Sequence, residues 1–264
     1  MVTTRNIKRT AKSVSLIVLT WLTISFGLYI FSGRIIHHPY PSRIQEFQIP
    51  HEQIFVKNPA GEKIDMLWAP QNDIGKHKTH LYLHGNAGRL PFIVEALARE
   101  GNLLSPAYPG YSASEGRPDT KNVGETVDLA IEFLRSRGIE SKDVIVLGHS
   151  LGGSPAVYAA AQYPEISKVI LVNTFYSMKS MCESLYKIFC VFAGGIHDTA
   201  AIAPLARAPI RQFHVKDDKI VPFEQGRALF EIIGSPDKKF TIIQGSHADF
   251  DVDEVLTSNN RPSR

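Results

Sequence analysis

The sequence predicts an α/β domain with a mostly parallel central sheet covered by helices on both faces. From Ile54 onward, short apolar runs of strand length alternate with longer runs that have helical spacing. Several strand-length runs, such as Val144–Leu147 and Val169–Val172, are apolar at every position, as is typical of parallel strands buried on both faces. No repeat, low-complexity tract or long linker interrupts this alternation, so we expect one domain over residues 37–264.

The individual elements follow from the same patterns. Two short strands, 54–57 and 64–68, are expected to pair around the turn Asn58-Pro59-Ala60-Gly61. Further strands are predicted at 79–83, 102–107, 144–147, 169–172, 210–215 and 240–243. Helices are predicted between them at 92–99, 123–135, 156–162 and 223–233.

A cap region is predicted over about 176–207, between two of these strands. Its apolar side chains fall near helical spacing: Met178, Met181, Leu185, Ile188, Phe189 and Phe192. Two interpretations remain open: a flexible lid over an apolar acyl pocket, or a helix packed on the core.

The N-terminus is predicted to be a membrane anchor. A basic tip, residues 1–13, precedes an apolar segment, residues 14–36, in which Val14 to Phe31 contains no charged residue. Eighteen helical residues extend over about 27 Å, close to the thickness of a bilayer core. A cleaved signal peptide and a buried core helix are the alternatives. The basic residues before the segment favour a single-pass protein whose main domain lies on the non-cytoplasmic side.

Composition excludes several classes of protein. The chain has 29 basic and 26 acidic residues, and four of the basic ones lie in the first twelve, which leaves 25 in a nearly neutral body. No basic stripe with interleaved aromatic residues supports nucleic-acid binding. No metal-ligand cluster or cofactor motif is present in the sequence, so we expect neither. The two cysteines, Cys182 and Cys190, are expected to be buried thiols, because eight residues of continuous helix would separate them by about 12 Å. They could form a disulfide only if that helical segment is broken.

The nucleophile is predicted from a G-x-S-x-G motif. Gly148-His149-Ser150-Leu151-Gly152 follows the apolar run VIVL and precedes an alanine-rich helix. In this strand–turn–helix context the serine lies at the carboxyl edge of the sheet, near the positive end of the next helix. We therefore predict Ser150 as the nucleophile.

A serine hydroxyl needs a base, and the base needs an acid to orient it. In a fold of this kind the acid and then the histidine follow the serine along the chain. His247, in a glycine-containing loop after the last strand, is the predicted base, whereas His197 and His214 are expected to be structural or exposed. Asp218, after the preceding strand, is the predicted acid, and its neighbour Asp217 is the alternative.

The oxyanion hole is predicted from two backbone N–H groups. One belongs to Leu151, the residue after the nucleophile, and the other to Asn86 in the loop Leu83-His84-Gly85-Asn86-Ala87-Gly88. His84 is expected to shape this loop rather than to act as a base.

Four motifs, HGNAG, GHSLGG, DDKIVPF and GSHADF, occur in that order, within a match that extends over roughly residues 80–249. In this the chain resembles the membrane-anchored α/β-hydrolases of the Bem46-like and ABHD-like group (alpha/beta hydrolase domain-containing proteins 12, 13 and 17). The resemblance implies an α/β-hydrolase fold, an N-terminal anchor and the same roles for Ser150, Asp218, His247, Asn86 and Leu151. The sequence departs from the group at Pro109, Ser112 and Ser246, which weakens any transfer of a particular relative's substrate.

The expected activity is that of a serine hydrolase that cleaves a carboxylic ester or thioester of an apolar acyl or lipid-like substrate. A serine peptidase or an acyltransferase with the same triad is one alternative, since one fold supports many reactions. A catalytically silent, membrane-tethered binding module is the other.

Overall fold

The computed structural model describes residues 4–36, 47–186, 190 and 198–257. Within these residues the main sheet has eight strands in the order β1-β2-β4-β3-β5-β6-β7-β8. Its strands are β1 (Glu52–Lys57), β2 (Lys63–Ala69), β3 (Thr79–Leu83), β4 (Asn102–Pro106), β5 (Val144–His149), β6 (Lys168–Val172), β7 (Ile210–Val215) and β8 (Lys238–Ile243). Strand β2 is antiparallel to β1 and to β4, and all other neighbours are parallel. The predicted mostly parallel sheet is confirmed.

Helices cover both faces of the sheet. The helices of the described residues are α1 (Thr4–Ile36), α2 (Pro91–Glu100), α3 (Thr120–Ser136), α4 (Gly153–Gln162), α5 (Met178–Tyr186), α6 (Thr199–Ile202), α7 (Phe223–Ile232) and α8 (Val252–Thr257). One buried cluster joins α3, α4 and α7 to alternate strand residues such as Val144 and Val146. A second cluster joins α2 and α8 to the intervening residues, such as Ile145 and Leu147. The period of two along a strand therefore divides each apolar run between two cores.

Local sequence signals set the ends of the helices. Asp119 caps α3: its side chain accepts a hydrogen bond from the backbone N–H of Asn122, and the Asn122 side chain bonds back to the backbone of Asp119. Helix α2 has Pro91 in its first turn, where a missing N–H removes no helical hydrogen bond. A small hairpin, β9 (Gly245–Ser246) and β10 (Asp249–Phe250), follows β8 and precedes α8. These short elements place the chain after β8 at the carboxyl edge of the sheet.

Helix α1 contains the predicted anchor. Among the residues that the structure describes, no helix is both long enough and apolar enough to cross a membrane. The membrane-spanning role of residues 14–36 therefore remains a prediction.

The cap contains a disulfide, so the prediction of two buried thiols is wrong. Cys182 and Cys190 are bonded, with their Cα atoms 5.8 Å apart. The expectation assumed one continuous helix through both residues, but α5 ends at Tyr186, before the second cysteine. Of the apolar cap residues, Met178 and Met181 have described side chains, whereas Ile188, Phe189 and Phe192 lie outside the described residues.

Candidate active site

Ser150 occupies the sharp turn between β5 and α4. Its φ angle of +54° lies in the left-handed region, which non-glycine residues seldom adopt, and a short 3-10 turn follows before α4 starts at Gly153. Strained backbone conformations of this kind are concentrated at functional sites, where the surrounding structure maintains them. The turn also needs small neighbours: a Cβ on Gly152 would collide with the carbonyl of Leu83, and one on Gly153 with the side chain of Thr174. The glycines of the motif thus let the nucleophile approach β3 and the end of β6.

Ser150, His247 and Asp218 form one hydrogen-bonded chain. The Ser150 Oγ lies 2.9 Å from the His247 Nε2, and the His247 Nδ1 lies 2.7 Å from the Asp218 Oδ2. In the arrangement in which Nδ1–H donates to the carboxylate, Nε2 is the acceptor for the serine proton. Ser150 follows β5, Asp218 follows β7, and His247 lies in the small hairpin after β8. The structure brings all three predicted residues together.

Asp218 is a buried carboxylate with several donors around it. Its Oδ1 accepts the backbone N–H groups of Ile220, at 2.8 Å, and Val221, at 2.9 Å, while its Oδ2 faces His247. Burial alone raises the pKa of Asp218, but the hydrogen bond from His247, the charge of that ring and the two N–H groups outweigh burial and lower it. Asp217 is exposed. The geometry therefore places the predicted acid, and not its alternative, beside the histidine.

The other histidines are placed as follows. His214 is fully buried in β7, with its Nε2 3.0 Å from the Val221 carbonyl. His84 is buried beneath the loop after β3, where its Nδ1 lies 2.8 Å from the Gly85 carbonyl and its ring packs on Tyr108. His197 lies outside the described residues.

The loop after β3 lies directly against the nucleophile. A Cβ on Gly85 would lie 3.2 Å from the Ser150 Cβ, so this loop lies close to the sharp turn that carries Ser150, called the elbow below. The N–H of Gly88 donates to the Gly85 carbonyl, which closes a tight turn around Asn86. The Tyr111 hydroxyl donates to the Asn86 Oδ1 at 2.7 Å. Together with Leu151 on the other side of Ser150, the loop can place two backbone donors near a developing oxyanion.

A buried ion pair ties the same loop to β2. The Arg89 guanidinium lies 3.2 Å from the Asp65 Oδ2, and the two side chains are only 8% and 1% exposed. Arg89 also donates to the Asp65 carbonyl at 3.2 Å, and Gln53 donates to the Asp65 Oδ1. This pair could not be predicted from the sequence, because an arginine after HGNAG and an aspartate in a strand carry no local signal that they meet.

An apolar cluster borders the elbow on the cap side. Four buried side chains pack together there, with Met178 against them: Leu151, Phe175, Met181 and Val221. The Gln225 Nε2 donates to the Ser180 Oγ at 2.8 Å and so joins α7 to α5. The cap helix is therefore packed on the nucleophile turn and the acid loop, which agrees with a helix packed on the core. The lid interpretation concerns motion and remains open.

Two further polar side chains near the site were not found by sequence reasoning. His149 and Asn173 both donate to the backbone carbonyl of His247, at 2.8 and 3.0 Å. Asn173 follows the carboxyl end of β6, an edge where parallel sheets collect functional residues, and this position is the signal that could have identified it. Among the residues that the structure describes, no group of three or more His, Cys, Asp or Glu side chains is arranged to hold a metal ion.

Comparisons with known proteins agree with this architecture. The Pyrococcus furiosus esterase Pf2001 superposes with a TM-score of 0.64 at 17% identity, over 85% of this chain and 95% of that one. The thioesterase domain from the curacin biosynthetic pathway superposes with a TM-score of 0.57 at 13% identity, over 75% of this chain and 94% of that one. At these identities the similarity establishes the fold.

Sequence comparison identifies the family. Protein bem46 of Schizosaccharomyces pombe is 31% identical over 211 residues, which cover 74% of this chain and 70% of that protein. The Homo sapiens alpha/beta hydrolase domain-containing protein 17B is 30% identical over 208 residues, covering 76% and 70%. A model of the alpha/beta hydrolase family matches residues 81–231. The chain therefore belongs to the alpha/beta hydrolase family, and within it is similar to the Bem46 and ABHD proteins.

Proposed function

We propose that this protein is a serine hydrolase that cleaves a carboxylic ester or thioester with an apolar acyl group. The observation that carries the proposal is the continuous hydrogen-bonded chain from Ser150 through His247 to Asp218. A strained serine, a histidine with a hydrogen-bonded acid and a neighbouring loop of backbone donors are the groups that acyl transfer needs.

The first half of the reaction forms an acyl-enzyme. The His247 Nε2 removes the proton of Ser150 as the Oγ attacks the carbonyl carbon of the substrate. The carbonyl oxygen becomes an oxyanion, which the N–H groups of Leu151 and Asn86 stabilise. Asp218 stabilises the imidazolium that forms on His247. The tetrahedral intermediate then expels the alcohol or thiol, which takes its proton from His247 Nε2.

The second half releases the acid. A water molecule gives one proton to His247 Nε2 and attacks the acyl carbonyl, and the same two N–H groups hold the second oxyanion. The bond to the Ser150 Oγ breaks, and the serine regains its proton from His247.

Two observations support an apolar acyl group. The elbow is bordered by the buried cluster of Leu151, Phe175, Met181 and Val221, and methionine adapts well to flexible apolar ligands. Proteins of similar structure include an esterase and a thioesterase domain, and esterases and thioesterases both transfer an acyl group. Their similarity concerns the fold, so the proposal rests on the side chains of this chain.

Turnover of an ester series tests the proposal. We expect hydrolysis of p-nitrophenyl esters from acetyl to palmitoyl by the wild type and none by Ser150→Ala. Ser154→Ala is the matched control, because Ser154 is a buried serine on the adjoining helix α4. Undiminished hydrolysis by Ser150→Ala would refute the assignment of the nucleophile. A folded wild type that cleaves no ester or thioester would favour the silent binding module, and cleavage of amides alone would favour a peptidase.

We also propose that residues 14–36 anchor the protein in a membrane, with the catalytic domain on the non-cytoplasmic side. Apolar side chains on the described part of α1, among them Leu16, Ile17 and Phe26, are more than half exposed. The disulfide between Cys182 and Cys190 supports an oxidising compartment, because cytosolic proteins rarely keep disulfides. Deletion of residues 1–36 is expected to release an active domain from the membrane fraction. Retention of that domain in the membrane would refute the anchor as the sole attachment.

A further inference from the structure

We propose that His149 and Asn173 are positioning residues that hold the backbone of His247, and so fix its imidazole between Ser150 and Asp218. We call these two donors and the His247 carbonyl the carbonyl clamp. The inference rests on the proposed function of the three residues, and it names two side chains on which their alignment depends.

The need for a clamp follows from where His247 lies. Ser150 follows β5 directly and Asp218 follows β7, so both are close to long strands of the main sheet. His247 instead lies between β9 and β10, which have two residues each. Its carbonyl accepts two hydrogen bonds, from the His149 Nε2 at 2.8 Å and from the Asn173 Nδ2 at 3.0 Å. The clamp therefore fastens a small hairpin to the carboxyl ends of β5 and β6.

His149 has the protonation state that the clamp needs. It is buried, and its ring lies between those of His247, at 5.1 Å, and Phe250, at 5.7 Å. Burial, and then the nearby His247 ring, lowers the pKa of His149 to about 4, so the ring is neutral at pH 7. Because a carbonyl only accepts, the proton of the neutral ring lies on Nε2. The clamp therefore places a donor, but no charge, beside the imidazolium that forms on His247.

Asn173 connects the base loop with the acid loop. Its side chain is fully buried, and its φ of +50° lies in the left-handed region. While its Nδ2 donates to His247, its Oδ1 accepts the backbone N–H of Val215 at 2.9 Å. Val215 ends β7, three residues before Asp218. A single carboxamide thus sets the spacing of the two loops, and only a side chain with both a donor and an acceptor can do so.

The clamp is expected to affect the chemical step more than binding. A displacement of about 1 Å in a reacting group can slow an enzyme about 100-fold. The clamp bonds to the backbone of His247, and neither of its donors is among the groups proposed to contact the substrate, so we expect its loss to leave the binding surface in place. We therefore expect kcat to fall while KM changes little.

The test compares two replacements of His149 in the full-length protein. His149→Gln keeps an N–H donor near the position of Nε2, and His149→Phe keeps the ring but removes the donor. We expect His149→Phe to lower kcat for p-nitrophenyl butyrate by about 10- to 100-fold, and His149→Gln to recover most of the loss. Asn173→Leu is expected to lower kcat by a factor similar to that of His149→Phe. Asn102→Ala is the control, since Asn102 is also fully buried and hydrogen-bonded but starts β4, at the opposite edge of the sheet.

A proton NMR signal separates failure of the clamp from failure of the proposed function. The Nδ1 proton shared by His247 and Asp218 is expected far downfield in the wild type and in His149→Gln, and broadened or lost in His149→Phe. A folded His149→Phe that keeps this signal and the wild-type kcat overturns the clamp, and so does a His149→Gln as slow as His149→Phe. If the wild type itself lacks esterase activity, the proposed function fails, and the same NMR comparison still decides whether the clamp positions His247.

Discussion

Replacement of Asp218 by asparagine tests the acid and its geometry with a change of one atom. The Asp218 Oδ1 accepts the N–H groups of Ile220 and Val221, at 2.8 and 2.9 Å. An amide NH2 cannot face those two donors, so the asparagine oxygen takes their side and its NH2 points at the His247 Nδ1. The Nδ1 must then accept, and the ring proton moves to Nε2, opposite Ser150. A protonated Nε2 cannot remove the serine proton.

The expected loss follows from this change of tautomer. In a serine protease the same substitution lowers kcat about 10⁴-fold, although the geometry is kept. At about 1.36 kcal/mol per tenfold change, this is a loss of about 5 kcal/mol of transition-state stabilisation. Because Asp218 is buried and faces His247 at 2.7 Å, we expect a loss of the same order here.

The assay is kcat for ester hydrolysis by Asp218→Asn and Asp217→Asn, measured at pH 7 and with folding checked by circular dichroism. Asp217 is the matched control, since it is adjacent in sequence but exposed. We expect its variant to keep activity close to that of the wild type. A large loss in Asp217→Asn, or near-normal activity in Asp218→Asn, would refute the tautomer argument.

Three further predictions concern stability. Arg89→Leu leaves the Asp65 carboxylate buried without its cation and is expected to lower the free energy of unfolding by about 3–5 kcal/mol in urea titrations. The double variant that adds Asp65→Leu should recover most of this lost stability. Burial, and then the charge of Lys78, lowers the pKa of His80 from 6.5 to about 4. The contribution of neutral His80 to the free energy of unfolding is therefore complete above pH 6.5. It is expected to fall by on the order of 3 kcal/mol as the pH drops toward 4. His80→Gln should show a shallower decline over that pH range, and an unchanged decline would contradict the assignment. Reduction of the disulfide, which links residues eight positions apart, is expected to lower stability by about 2.5 kcal/mol, and a double cysteine-to-serine variant should be insensitive to the reductant.

The fold was predictable because strand and helix patterns are local. Strand boundaries at Thr79–Leu83 and Ile210–Val215 agree with the predicted ranges, because each run is bounded by polar or turn residues. The helix α3 extends three residues before the predicted start, since the side chain of Asp119 caps it ahead of the first apolar position. Capping therefore moves a boundary that periodicity alone cannot locate.

Spatial relations between distant segments were harder to predict. Ser150, Asp218 and His247 could be selected because each follows a strand whose carboxyl end faces the same edge. The clamp and the Arg89–Asp65 pair depend on which side chains meet across that edge, which no local spacing encodes. The disulfide was mispredicted for the same reason, because the end of α5 brings two residues together that a continuous helix would keep apart.

The most direct test of the central claim is the site of covalent modification by a fluorophosphonate, read by mass spectrometry of the intact protein and its peptides. We expect one adduct per molecule on Ser150 in the wild type, none in Ser150→Ala, and greatly slowed labelling in Asp218→Asn. A folded wild type that stays unmodified, or an adduct on another residue, would contradict that claim.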